Sequence, residues 1–294
     1  MKRQGTFVLI AMILAMFVNL APAPQAVKAL SPGVVISQVY GGGGNTGATY
    51  THDFVELFNR GTSPVSLNGW SIQYASATST GNFGASATAL TELPDVTLLP
   101  GQYFLIQEAQ GAGGTTALPT PDVIDATPIA MSGSAGKVAL VNSTVSLGCN
   151  GSSTPCSPEQ LALIIDLVGW GTANFYETAP AAATTNTTAV IRNNQGCMET
   201  DNNSTDFSVD IPTPRNTATQ VYICPVQKPV INEFSADTTS TDVEYVEIFG
   251  SPNSDYSAYT VLGLEGDAGS NVGRIDNVIP MGNTDANGLY PANF

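Results

Sequence analysis

One pattern occurs twice in this chain and limits what it can fold into. Over Tyr50–Ile72 it reads YTHDFVELFNRGTSPVSLNGWSI, and over Asp242–Leu264 it reads DVEYVEIFGSPNSDYSAYTVLGL. Each copy is a short run of alternating large apolar residues, a polar turn, and a second apolar run. That spacing fits strands, whose side chains alternate between two faces, and does not fit a helical stripe. The preceding segments match as well, VISQV (Val35–Val39) against VINEF (Val230–Phe234). Ile36 stands 20 residues before Glu56, and Ile231 stands 16 before Glu247. The longer glycine-bearing loop of the first copy accounts for the four extra residues. Self-similarity of this kind marks a duplicated structural unit.

The composition agrees. Charged residues are 11% of the 294, and Gly, Pro, Ser, Thr and Asn are plentiful, as in folds of many short strands with polar turns. Strands are expected at Val34–Tyr40, Phe54–Phe58, Trp70–Tyr74, Lys137–Val141, Leu161–Val168 and within Thr184–Arg192. Val96–Leu99 and Tyr103–Gln107 are expected to pair as a hairpin around Pro100–Gly101, a pair suited to a type II turn. Gly41–Gly47 reads as a flexible loop and Ala75–Thr91 as a surface excursion. Trp70 and Trp170, with Phe54 and Phe58, are the expected core anchors.

Residues 1–29 read as a secretory signal. Lys2 and Arg3 precede an uncharged apolar run, Phe7–Val18, and Val27-Lys28-Ala29 offers small residues for cleavage. The run is too short to span a bilayer comfortably, so no membrane span is expected after cleavage. The mature chain carries six basic against 24 acidic side chains, a formal charge of −18. Such a field repels phosphates and opposes direct nucleic-acid binding. Secretion also gives meaning to the even cysteine count. Three pairings of the four cysteines exist, and sequence neighbours favour Cys149–Cys156 with Cys197–Cys224.

The sequence carries few catalytic signals. His52 is the one histidine, which rules out a multi-histidine zinc site. The glycine run is followed by neither GK[ST] nor a helix signal, and no GxSxG or HExxH occurs. Two acidic features remain. Glu56 lies between Phe54 and Phe58 on one strand face, where a carboxylate needs hydrogen bonds or an opposite charge. It is expected to accept backbone or hydroxyl donors at a sheet edge or loop base. Asp201, Asn203 and Asp206 cluster in DNNSTD, which could supply oxygen ligands to calcium or bond its own backbone as an Asx-rich turn. With Glu56 they form the calcium candidates; no other cofactor is implied.

The pieces VVISQVYGGGG, DFVELFNRG, VSLNGWSIQY, LPGQYFLI, IDLVGWG (Ile165–Gly171) and DNNSTDFSVDIPTPRNT (Asp201–Thr217) appear in an order that resembles the lamin-tail domain, in the form carried by bacterial secreted proteins. The resemblance covers residues 34–218. It implies an all-β, immunoglobulin-like β-sandwich and a non-catalytic accessory role. Relatives of this type also stand at the front of extracellular nucleases of the endonuclease/exonuclease/phosphatase kind, which gives the alternative reading. No catalytic residue carries over to this chain. The expected organisation is a signal (1–29), a lamin-tail-type sandwich (30–220), a linker (221–229) and a second, partial lamin-tail-like module (230–294), with the native product expected to continue past Phe294. The expected function is a secreted or cell-surface module whose partner is an unknown protein or surface ligand.

Overall fold

The computed structural model describes residues 33–78, 80–225, 228–235, 245–251, 254–266, 272–285 and 287–293; the segment 1–29, read above as a secretory signal, lies outside them. The first group of strands is β1 (Val34–Tyr40), β2 (His52–Asn59), β3 (Val65–Ser66), β4 (Ser71–Ser76), β5 (Leu90–Glu92), β6 (Thr97–Leu98), β7 (Tyr103–Gln110), β8 (Val123–Ile124), β9 (Gly136–Val141), β10 (Ile164–Trp170), β11 (Ala189–Arg192) and β12 (Phe207–Asp210). They form an immunoglobulin-like β-sandwich. One sheet runs β12-β11-β1-β2-β7-β8, the facing sheet runs β10-β9-β4-β5, and β3 pairs with β6 at the side.

The alternation in FVELF decides which residues enter the sandwich. Val55 and Leu57 point inward with Ile36, Val39, Phe104 and Ile106, against Ile72, Tyr74, Val138, Leu140, Val168 and Trp170 of the other sheet. Phe54 and Phe58 point outward and are nonetheless fully buried. Phe54 packs with Tyr40 and Leu105, and Phe58 packs with Val35, Tyr103 and the Cys197/Cys224 pair. The outer face of the four-stranded sheet is covered likewise by Phe83, Phe175 and the Cys149/Cys156 pair. Both expected disulfides are formed. Each staples a loop over one outer face, so both sheets are covered on both sides.

Several local expectations need correction. Trp70 precedes β4 and is half-buried against the core, whereas Trp170 is fully buried. β6 pairs with β3 rather than with β7, although Gly101 does take a positive φ of 76°. The apolar run at Leu161 begins as a helical turn, α1 (Pro158–Leu161), capped by Ser157, and the strand starts three residues later. The excursion after β4 contributes the fully buried Phe83. The glycine run is also tightly packed. A Cβ on Gly43 would lie 1.9 Å from the His52 carbonyl carbon, and one on Gly44 would lie 2.1 Å from the Gly111 nitrogen. Glycine is required there for close backbone approach, not for loose connection.

The second group comprises β13 (Val230–Ser235), β14 (Tyr245–Phe249), β15 (Thr260–Leu264), β16 (Ile275–Pro280) and β17 (Leu289–Asn293). β14 lies between β13 and β17, and β15 pairs with β16. The repeat holds at the level of register. β1 and β2 slip by one residue between Ile36 and Gln38, and β13 and β14 slip between Ile231 and Glu233. The residue in each bulge, Ser37 or Asn232, hydrogen-bonds the glutamate of the next strand, Glu56 or Glu247.

Candidate functional site

A strand buried on both faces has no room for a charge without a partner. Two arginines of the first domain answer that problem. Arg192 ends the apolar strand AVIR and is fully buried. Its Nη2 is 2.7 Å from Asp166 Oδ2 and its Nη1 is 2.5 Å from Glu199 Oε2. Nε donates to the Ile36 carbonyl at 2.9 Å, Nη1 also donates to the Met198 carbonyl, and the guanidinium lies 4.4 Å above the Phe207 ring. Asp166, in the middle of β10, reaches across the sandwich to accept from the Ile36 amide at 2.6 Å. It therefore joins the two sheets at the β1 bulge. The surrounding carboxylates raise the Arg192 pKa despite its burial.

Behind this pair sit Glu177 and Glu199. One oxygen each of Asp166, Glu177 and Glu199 lies within 4.8 Å of the others. Burial pushes the Glu199 carboxyl up to about 7 and the Glu177 carboxyl well above the usual carboxylate range, with Asp166 adding to both by repulsion. Glu177 Oε2 accepts from Asn203 Nδ2 at 2.9 Å, while Glu177 Oε1 is buried with no hydrogen-bond partner.

The expected calcium set is distributed differently. Asn203 opens a helical turn, α2 (Asn203–Asp206), capped by Asn202. Its amide is fully engaged, accepting from Gly169 and Glu177 and donating to Leu167 and Glu177. The Asp206 carboxylate bonds Thr200 and the Asn202 amide in the Asx-rich manner also anticipated, and lies 3.9 Å from Arg192. Asp201 takes a positive φ of 54° and donates its amide to Glu199. Glu56 lies elsewhere, on β2. That strand is central between β1 and β7, so of the two expected positions the sheet edge does not hold, while the expected hydroxyl and backbone donors are present. Its carboxylate accepts from Ser37, from Gln38, and from both the backbone and the guanidinium of Arg215. Arg215 stacks 3.8 Å above the Tyr103 ring. Among the described residues, Glu56 and the Asp201–Asp206 turn do not form one carboxylate group; Asp166, Glu177 and Glu199 do.

The sequence reading singled out none of Arg192, Glu177, Glu199 and Arg215. One signal was available. An aspartate in LIIDLV and an arginine in AVIR are opposite charges in otherwise apolar strands, and such charges are buried only if they meet. Two further carboxylates act as backbone clamps. Asp53 holds the Gly43 and Met131 amides, and Glu108 holds the Ile129 amide and Thr91. Burial raises Asp53 to about 7 and Glu108 to about 8. The whole arrangement fixes backbone and offers oxygen ligands.

A family model described as Lamin Tail Domain matches residues 28–172. No curated protein matches the chain. Among solved structures, the fold is similar to a DUF4876 family protein from Bacteroides thetaiotaomicron, with 12% identity, a TM-score of 0.43, and coverage of 65% of this chain and 75% of that one.

Proposed function

Residues 28–172 make the first domain a member of the lamin-tail family, and from that premise we propose that the chain is a non-catalytic accessory module that binds a protein or cell-surface ligand outside the cell. The family is one of non-catalytic, immunoglobulin-like domains. Two disulfides suit an oxidising compartment, and among the described residues no helix is long and apolar enough to cross a membrane.

The observation that carries the reading is the apolar surface of the second module. Ile231 is 63% exposed, Phe234 70%, Leu264 62% and Val278 61%. The counterparts of Ile231 and Phe234 on β1, Ile36 and Val39, are buried. Exposure of several large apolar side chains on β13, β15 and β16 is the kind of surface that interaction sites present. The test is association of residues 30–294 with intact cells of the producing culture, measured by sedimentation. Ile231→Ser with Phe234→Ser is expected to abolish it without changing the melting of the first domain. Undiminished binding by that variant would overturn the assignment of the surface. Metal-dependent phosphodiester cleavage by the purified chain would overturn the non-catalytic reading.

A further inference from the structure

We propose that Asp166, Glu177 and Glu199 form a calcium site built into the first sandwich beside Arg192. Three observations lead there, and none depends on the accessory role proposed above.

The first is the unused oxygen. Glu177 is completely buried, its Oε2 is taken by Asn203, and its Oε1 has no donor. An ionised carboxylate oxygen in that position is costly unless something positive meets it. Asp166 and Glu199 each present an oxygen within 4.8 Å of Glu177.

The second is the local charge. Arg192 contacts Asp166 and Glu199 and lies 3.9 Å from Asp206, and Arg60 is the other guanidinium in Coulombic range of Asp166, Glu199 and Asp206. Two guanidiniums therefore face four carboxylates when Glu177 is included, and Asp201 adds its charge to the field at Glu177. Carboxylates thus outnumber guanidiniums in a dry interior, and a divalent cation is what would let Glu177 and Glu199, whose charged forms burial disfavours, stay ionised.

The third is size and donor type. All three ligands are carboxylate oxygens, which suit hard cations and exclude soft ones. Two oxygens on one calcium ion, at 2.3–2.6 Å each, stand at most about 5 Å apart, whereas magnesium limits them to about 4.2 Å. Oxygens that lie within 4.8 Å of one another match the reach of calcium better than that of magnesium. The ligands come from β10, from the turn after it and from the segment that follows Cys197, so an ion here would tie the second half of the sandwich together. Asn203 orients Glu177 through its amide and is a positioning residue, not a ligand.

The experiment uses EDTA-stripped residues 30–294, with calcium chloride as the probe, read by calorimetric titration and by melting at pH 7.5. The wild-type chain is expected to bind one calcium ion per chain and to melt higher as calcium rises. Glu177→Gln, which keeps the side-chain shape, is expected to weaken binding at least about tenfold, and the exposed Glu92→Gln is expected to leave it unchanged. Glu199→Gln gives a second reading should Glu177→Gln fold poorly. Absence of saturable binding to the wild-type chain below about 10 mM calcium would overturn the proposal. So would equal binding by Glu177→Gln and wild type. If calcium does not bind and Glu177→Gln raises the melting temperature, Glu177 is a buried neutral acid and the site is purely structural.

Discussion

Arg215→Ala tests whether the segment after β12 belongs to the fold or merely leaves it. The Arg215 side chain is 15% exposed and its carboxylate partner, Glu56, is not exposed at all. Nη2 is 2.8 Å from Glu56 Oε1, Nε bridges both oxygens, and the guanidinium stacks on Tyr103. Removing one partner of a buried pair costs about 3–5 kcal/mol because the other charge is stranded. Glu56 would keep Ser37, Gln38 and the Arg215 backbone amide, so the lower end, about 3 kcal/mol, is expected. For a domain of this size that is a fall in melting temperature of about 6–12 °C. Burial already raises the Glu56 pKa and Arg215 opposes that rise. Losing the arginine therefore drives the carboxyl towards its neutral form, and the defect should shrink as pH falls. Glu56→Gln in the Arg215→Ala background should recover part of the loss, because no charge is left stranded. Urea unfolding of the four proteins in a double-mutant cycle measures this directly. A loss below about 0.5 kcal/mol for Arg215→Ala, or no recovery in the double variant, would refute the reasoning.

Other outcomes follow from the same geometry. Arg192→Met should be more damaging than Arg215→Ala, because it strands Asp166 and Glu199 together; a yield of folded protein and a urea midpoint near wild type would contradict it. In EDTA the chain should melt lower at pH 7.5 than at pH 5. The folded pKa values of Asp53 and Glu108, about 7 and about 8, lie above their unfolded values, so the native state binds more protons across that window and loses stability as pH rises. Asp53→Asn with Glu108→Gln should flatten that profile, as followed by melting across the same buffers. Removing Cys197–Cys224, which closes 27 residues, should cost about 1 kcal/mol more than removing Cys149–Cys156, which closes seven, on loop entropy alone; chemical denaturation of the two double-serine variants compares them. Gly43→Ala should disrupt the domain, since its Cβ meets the backbone of His52; a melting temperature within a degree or two of wild type would refute the close packing.

Much of this was legible wherever the determining interactions were local. The alternation in VVISQVY and DFVELF located β1 and β2 and divided their faces correctly. Chain proximity indicated both disulfides, and the position of Glu56 between two aromatic residues required that it find partners. The partners themselves were not legible. Arg215 lies 159 residues from Glu56, and the Asp166 carboxylate meets an amide 130 residues away. No local period encodes such pairs. The glycine run was misread for a related reason. Glycine signals conformational freedom in isolation, and only the approach of His52 and Gly111 turns it into a packing requirement. Pro100–Gly101 announced a turn correctly without indicating that β6 would join β3. Turn chemistry fixes the direction of the chain but not the strand it meets.

The two copies separate what builds the sheet from what closes it. Both have the strand, the bulge and the bulge residue bonded to the following glutamate. In the first, β1 is then closed on its free edge by β11, and Gln38 and Val39 pair with Ile191 and Val190. Arg192 and Asp166 clamp its bulge from two directions, and Arg215 neutralises its glutamate. All of that comes from residues 166–215, much of it beyond the end of the lamin-tail match at residue 172. In the second copy, β13 pairs with β14 alone among the described residues, Glu233 stands directly opposite Glu247, and the strand is exposed along most of its length. The repeated core is therefore sufficient to specify strand register but not burial. Burial in the first domain depends on ion pairs that return from the far end of the sandwich, so residues 173–217 belong to the same cooperative unit as the strands they cover.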